Sequence, residues 1–411
     1  MNIIALSIPI FLGLLLLELG WDTFKRKGFY KLGDSLANLG SGILDQGLGL
    51  FVKVLTVGAF VGIGHWAATW RPWSIDNSLA TWVACFIAVD FAYYWAHRWS
   101  HKVHILWIGH VVHHQSEHYN LSVALRQSAI QKLLVFWVYW PLALIGFSGE
   151  MFVSVMALNL IYQFWIHTEF IEKMGVFGLV FNTPSHHRVH HGRNPKYIDR
   201  NHAGVFIVWD RMFGTFTQEE ERPTYGITSP LESFDPVKAQ WQPMAFLFTE
   251  AARMPGLWNK MKFLFMPPGW YPESLGGFKH APELDPAHVG FDPPRQTAVR
   301  CMLTVRWLIV LGLSFYMLKS ADALGLASLK WIFAWVVVAL GAIGMVYDRG
   351  LTGARPLGLL LIDLTLPAVL VLTQAGDASP FAGALYTGIG TGSFLTLWTV
   401  YCWLFLASSK R

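Results

Sequence analysis

Apolar runs separated by short polar punctuation dominate this chain. The first covers residues 3–19, and further runs follow at about 47–64, 79–96, 130–147, 151–167, 301–318, 331–347, 356–374 and 387–408. A hydrocarbon core needs roughly 20 helical residues per crossing, so the pattern predicts an all-α polytopic membrane protein of about nine transmembrane helices. Residues 170–300 are mixed and polar. They divide the chain into N-terminal transmembrane helices (1–78), a catalytic region (79–225), a cytosolic or interfacial segment (226–300) and a C-terminal four-helix transmembrane region (301–411). No basic stretch precedes the first run and no small-residue cleavage site follows it, which reads as an anchor rather than a removable leader.

Charge fixes the expected orientation. Lys25, Arg26, Lys27 and Lys31 follow the first run, and Arg188, Arg193, Lys196, Arg200 and Arg211 lie in the central polar region. The positive-inside bias puts both in the cytosol, the N-terminus outside, and Ser408, Ser409, Lys410 and Arg411 inside again. The short turn at Ser148, Gly149 and Glu150 sits on the far side. Within the central region, 241–270 interleaves Trp241, Phe246, Phe248, Trp258, Phe263, Phe265 and Trp270 with Arg253, Lys260 and Lys262. Amphipathic helices in the membrane interface and core helices of a soluble lobe both fit this pattern.

Composition supports the membrane assignment: 54% of the 411 residues are hydrophobic and 14% charged, against about 25% charged in soluble domains. The net charge of +5 has no dense basic tract behind it, which argues against nucleic acid. Cys85, Cys301 and Cys402 lie far apart and form neither a disulfide framework nor a CxxC metal site. Gly388, Gly390 and Gly392 fall inside an apolar run with no strand before them, so they read as helix packing rather than a nucleotide loop.

The candidate chemistry is histidine. His97 and His101 are four residues apart; His110, His113 and His114 follow, and His187, His190 and His191 repeat their spacing. On helices each group is expected to put its imidazoles on one face. Eight nitrogens are too many for one ion and about right for two. His167 closes a polar stripe with Asn159 and Gln163 and is a ninth expected ligand, with Gln163 beside it. Asp90, Tyr94, His97 and His101 form another stripe, from which Asp90 is expected to fix the tautomer of a ligand histidine. Of the pair His186 and His187, separated by about 100° on a helix, only one can share the face of His190 and His191, and His187 is the choice. His65, His280 and His288 lie outside the boxes and are expected to be dispensable.

The boxes His97-x3-His101, His110-x2-His113-His114 and His187-x2-His190-His191 resemble those of the fatty acid hydroxylase and sterol desaturase superfamily of membrane di-iron enzymes. SEHYNLSVALRQS at 116–128, FWIHTEF at 164–170, NTPSHHRVHHGRN at 182–194 and WDRMFGTF at 209–216 look like its alkylglycerol monooxygenase branch; residues 79–220 carry the likeness. The resemblance implies two iron ions, dioxygen, and hydroxylation of the O-alkyl ether carbon of a glycerol ether lipid with tetrahydrobiopterin, giving a hemiacetal that breaks into aldehyde and glycerol. One departure is Lys102, where the branch carries Glu directly after the first box.

Independently of that likeness, hydroxylating a C–H bond requires a metal that changes oxidation state, which excludes zinc as the working ion. No dinucleotide fingerprint, haem-attachment CxxCH or iron–sulfur cysteine set is present, so electrons must come from a separate donor, a pterin or a redox protein. The aliphatic substrate is expected to enter from the bilayer between the third and fifth spans, with its head group near Glu117, Tyr119 and Arg126. A fatty-acid, sterol or head-group hydroxylase of the same superfamily is the neighbouring alternative. A metal transporter would carry ligands at mid-bilayer, and a bis-histidine cytochrome would pair histidines on facing spans; neither pattern is seen. A bacterial source would place the chain in the inner membrane, a eukaryotic one in the endoplasmic reticulum.

Overall fold

The computed structural model describes residues 3–285, 287–372 and 380–402, so the expected placement of Ser408 to Arg411 lies outside the described residues. Among those described, sixteen α-helices and three 3-10 turns form the protein, and the only pairing of extended backbone is an isolated bridge between Phe181 and Phe206. Helices α1 (Ile3–Lys25), α2 (Leu32–Ala68) and α3 (Leu79–Lys102) are long and apolar enough to cross a membrane.

The sequence pattern placed only residues 47–64 of α2 in a helix. Its first half was hidden because Asp34, Asn38, Ser41 and Asp45 interrupt the apolar pattern. They are buried, and their partners come from chain far away. Asn38 Nδ2 donates to Asp34 and to Ser122 Oγ (each 2.9 Å), Ser116 Oγ donates to Asp34 at 2.7 Å, and Lys132 Nζ reaches Asp45 at 2.8 Å. Buried polar groups are tolerated when so partnered, and here they tie α2 to the catalytic region.

Ser78 caps α3 in a reciprocal box with Thr81. After the single extended residue Val103 the chain turns directly into α4 (His104–His114), so the first two histidine boxes meet at one corner. Residues 130–147 differ from the continuous crossing expected of them. They form α5 (Gln131–Val135), a 3-10 turn (Phe136–Tyr139) and α6 (Trp140–Ile145). Pro141 provides no N–H donor and fits only the first turn of a helix. α7 (Gly149–Trp165), capped by Ser148, then runs to His167. Phe60 of α2 stacks on Phe152 of α7 at 4.3 Å, in a core shared by α2, α3, α6 and α7.

The short helices α8 (Phe177–Val180), α9 (Pro184–His191) and α10 (Val208–Met212) complete the catalytic region. Next come α11 (Pro236–Arg253) and α12 (Gly256–Phe265). They pack on α4 through Leu247, Ala251 and Phe263 against Ile108. Trp241, Phe246, Phe248, Trp258 and Phe265 stay exposed, which a core helix of a soluble lobe would not do.

The C-terminal region comprises α13 (Thr297–Lys319), α14 (Ala321–Arg349), α15 (Arg355–Leu372) and α16 (Pro380–Tyr401). α13 and α14 are also of spanning length and apolarity. They share a core with the first half of α2. A buried ion pair joins α13 to α15: Arg306 Nη2 donates to Asp363 Oδ2 at 2.6 Å, and also to Leu395 O and Thr399 Oγ1 of α16. The glycine run of α16 is helical, and a Cβ at Gly392 would lie 2.4 Å from Asp363 O. Close helix packing therefore accounts for the glycine there.

Candidate metal centre

Nine histidines from four elements meet in the interior, and they fall into two groups. His97, His101, His110, His114 and His190 bring one ring nitrogen each within 4.8 Å of one another; His113, His167, His187 and His191 do the same. All nine are buried. The expectation that each box presents one face is corrected here. At about 100° per residue, positions i and i+4 lie 40° apart while i+3 lies 60° the other way. In box two His110 and His114 join the first group and His113 the second; in box three His187 and His191 join the second and His190 the first. Boxes two and three therefore each span both groups and set their separation, while both histidines of box one stay in the first.

Main-chain carbonyls orient four of the rings. A carbonyl can only accept, so in each contact the imidazole Nδ1–H donates: His97 to His202 O at 2.7 Å, His113 to Arg126 O at 2.8 Å, His167 to Gln163 O at 2.7 Å and His190 to Arg200 O at 2.9 Å. The lone pair of each is thereby left on Nε2, the usual arrangement around a metal-ligating histidine. These Nε2 atoms face other histidines: His97 lies 2.8 Å from His110, His114 3.0 Å from His110, and His187 3.0 Å from His167. Metal–nitrogen bonds of about 2.1 Å at right angles place neighbouring ligand atoms about 3 Å apart. The nitrogens of His101, His190 and His191 at Nε2 have no protein partner at all. So many imidazole nitrogens converging at this spacing, three of them without a protein partner, fit a cation in each group.

Burial holds the imidazoles of the loops and short helices neutral. It lowers His113 to about 4 and holds His110, His114, His187, His190 and His191 well below the ordinary histidine range, with neighbouring histidines adding to the effect in these five. Neutral imidazole is the form that binds metal.

The surroundings correct two expectations and add a contact for a third residue. Asp90 touches no ligand ring. Its carboxylate accepts from Val205 N (2.8 Å), Phe206 N (3.0 Å), Trp209 Nε1 (2.9 Å) and Asn159 Nδ2 (2.7 Å), so it fixes the loop after His202 rather than a tautomer. Gly204 sits against it: a Cβ there would meet Asp90 Oδ1 at 2.8 Å. Arg126 does not face a substrate. Its guanidinium is fully buried and donates to Val112 O, Asn38 Oδ1 and Gln115 Oε1, while its carbonyl orients His113. Lys102 pairs with Asp199 at 2.5 Å, and the other oxygen of Asp199 lies 3.5 Å from His101 Nδ1.

Of the remaining expected residues, Gln163 donates to Asn159 Oδ1 at 2.6 Å and acts on His167 through its carbonyl. Tyr119 is buried, donates to Ile166 O and lies ring to ring with His167 at 5.7 Å and His191 at 5.2 Å. Glu117 accepts from Phe291 N at 2.7 Å and lies 3.5 Å from His288, so it ties down the segment before α13. His186 lies outside both groups, against Phe216.

Sequence reasoning missed several contributors. Gln131 meets His110 Nδ1 at 3.1 Å. Arg188, inside box three, is buried and joins Glu219 (2.8 Å) to the carbonyls of Thr168 and Ile171 (3.0 and 2.7 Å), locking α9 to the chain beside His167. The carbonyls at Arg200 and His202 carry no signal in a sequence.

Two sets of buried histidines on a helical membrane scaffold define the fatty acid hydroxylase class, and that family's model matches residues 82–215. Over nearly the whole chain the likeness is narrower. It is 37% identical to the alkylglycerol monooxygenase of Homo sapiens over 388 residues, 92% of this chain and 84% of that one, and 34% identical to that of Danio rerio over 399 residues, 96% and 86% respectively. The chain belongs to the alkylglycerol monooxygenase family of oxidoreductases. A more distant relative, the ornithine lipid hydroxylase OlsE of Rhizobium tropici, is 25% identical over 138 residues, 32% of this chain and 40% of that one. No solved structure matches.

Proposed function

We propose that the protein is a membrane di-iron monooxygenase that hydroxylates the O-alkyl ether carbon of an alkylglycerol lipid, using dioxygen and an external two-electron donor, tetrahydrobiopterin by family likeness. The observation that carries this reading is the division of nine buried histidines into groups of five and four, His97, His101, His110, His114 and His190 on one side and His113, His167, His187 and His191 on the other. When bound there, two irons supply the change of oxidation state that activating dioxygen needs. One oxygen atom enters the C–H bond, and the other leaves as water with the donor's two electrons and two protons.

The chain's own residues hold the ions, exclude water and keep imidazoles neutral. Tyr119, stacked between His167 and Tyr225 (5.0 Å from the latter), walls the four-histidine group. Positive-inside charge puts the site on the cytosolic face. Residues 131–145 rise only about 22 Å, short of the roughly 30 Å hydrocarbon core. In our reading α5–α7 therefore dips into one leaflet and returns, leaving His167 on the side of the other histidines. The exposed aromatic faces of α11 and α12 lie in the membrane interface beside α4. α15 and α16 complete the C-terminal bundle as crossings.

Purified iron-loaded protein given alkylglycerol, fatty acid and ornithine lipid side by side tests the substrate. Aldehyde release from the alkylglycerol alone supports the proposal; turnover of the other lipids without it favours the head-group or acyl hydroxylase reading.

A further inference from the structure

A tenth imidazole faces the five-histidine group. His202 is fully buried, and its ring lies 5.0 Å from that of His101 and 5.6 Å from those of His97 and His190. Its main chain is held on both sides: the N–H donates to Asp210 Oδ1 at 2.8 Å and the carbonyl accepts from His97. Neither Nδ1 nor Nε2 has a partner at full hydrogen-bond geometry, although the Asp199 main chain lies close enough to act on the ring as an acceptor. Buried polar atoms are seldom left without a well-aligned partner, so an imidazole placed this way beside a cation site is expected to have one that is not protein.

The flanking backbone points the same way. Asp199 and Asn201 adopt positive φ, +58° and +55°, a left-handed conformation that Asp and Asn accept more readily than other side chains. Asn201 is locked in it by bonds to His186 O, Thr217 O and Thr217 N. This segment presents the Asp199 carboxylate, the Arg200 carbonyl and the His202 carbonyl to His101, His190 and His97 in turn, and it delivers the His202 ring to the same three.

We propose that His202 is a further metal ligand, the sixth nitrogen of the group formed by His97, His101, His110, His114 and His190. Its nitrogens stand outside the set of five, and the ring would reach the ion by turning about its side-chain torsions, exchanging its contact with the Asp199 main chain for the metal. The inference rests on the two-ion reading above. Six nitrogens fill an octahedral ion, so open positions remain only on the ion of the four-histidine group, beside Tyr119. The two ions then divide their work: one is closed, and the other accepts small ligands.

Cobalt(II)-substituted full-length protein tests this through its visible spectrum, because six-coordinate cobalt absorbs more weakly than five- or four-coordinate cobalt. Wild-type protein with two cobalt ions per chain is expected to bind one azide. His202→Ala is expected to retain two ions, gain several-fold absorption at one of them, bind a second azide, and lose that ion to a chelator about tenfold faster; free imidazole should restore the wild-type spectrum. His202→Gln, which keeps side-chain bulk, serves if the alanine variant does not fold. Unchanged spectra and one azide in both variants, with two cobalt ions per chain throughout, would overturn the assignment of His202 alone. Fewer than two ions in the wild type would overturn the two-ion reading, and this inference with it.

Discussion

His97 Nδ1 lies 2.7 Å from the main-chain carbonyl of His202, 105 residues later in the chain. The first ligand of the first box is therefore aimed by a loop, and that loop is held by Asp90, a side chain two helical turns back on α3 itself. Asp90 satisfies the loop's N–H groups at Val205 and Phe206, and Asp210 satisfies those at His202 and Ala203.

Asp90→Ala leaves four donors without their acceptor, two buried and two half-buried, at about 1–3 kcal/mol for each that stays buried and unpaired. The expected outcome is a lower melting temperature in detergent and preferential loss of one of the two ions, because His97 and His190 lose their fixed carbonyls together. Metal content and thermal unfolding measured on the same sample check it. A variant that keeps two ions and the wild-type melting temperature would show that the loop does not depend on Asp90.

Acid should release the metal. The folded imidazoles titrate below their unfolded value of 6.5, His113 at about 4, so as pH falls through 6.5 the unfolded chain takes up protons that the folded chain cannot. Stability of the metal-free protein is thus full above 6.5 and declines toward 4, by about 1.4 kcal/mol per pH unit for each such histidine. Metal content and melting temperature followed from pH 7.5 to 4.5 should fall together over that window. Stability that rises on acidification would contradict neutral, buried imidazoles.

Lys102 offers a handle on the reductant. It is half exposed and neutralises Asp199, the one carboxylate beside box one. Replacing it by glutamate adds an acceptor for pterin N–H groups, and one such bond is worth about 1–3 kcal/mol, a factor of roughly five to 150. Lys102→Glu should lower the KM for tetrahydrobiopterin within that range and leave the metal count unchanged. An unchanged KM would place the reductant elsewhere.

The nine grouped histidines were all legible from spacing, because metal ligands on helices recur at i, i+3 and i+4. Their division into two groups was not, since the arc from i+3 to i+4 reads as one face until neighbouring helices are placed. The first half of α2 was hidden by Asp34 and Asp45, whose partners come from residues about 80 positions away. Asp90 was legible as an acid inside a span but not its partners, because a charge in an apolar setting announces a partner without saying which; Arg126, placed at the substrate head group, is instead buried against Val112, Asn38 and Gln115. His202 has no spacing to the boxes, and only its position in space marks it.

The central claim is two ions per chain. Iron-loaded, full-length protein should contain two metal ions per polypeptide by elemental analysis, falling toward one in His187→Ala and in His114→Ala, each of which strips one group. A single ion in well-folded wild-type protein, or two ions that survive both substitutions, would contradict it.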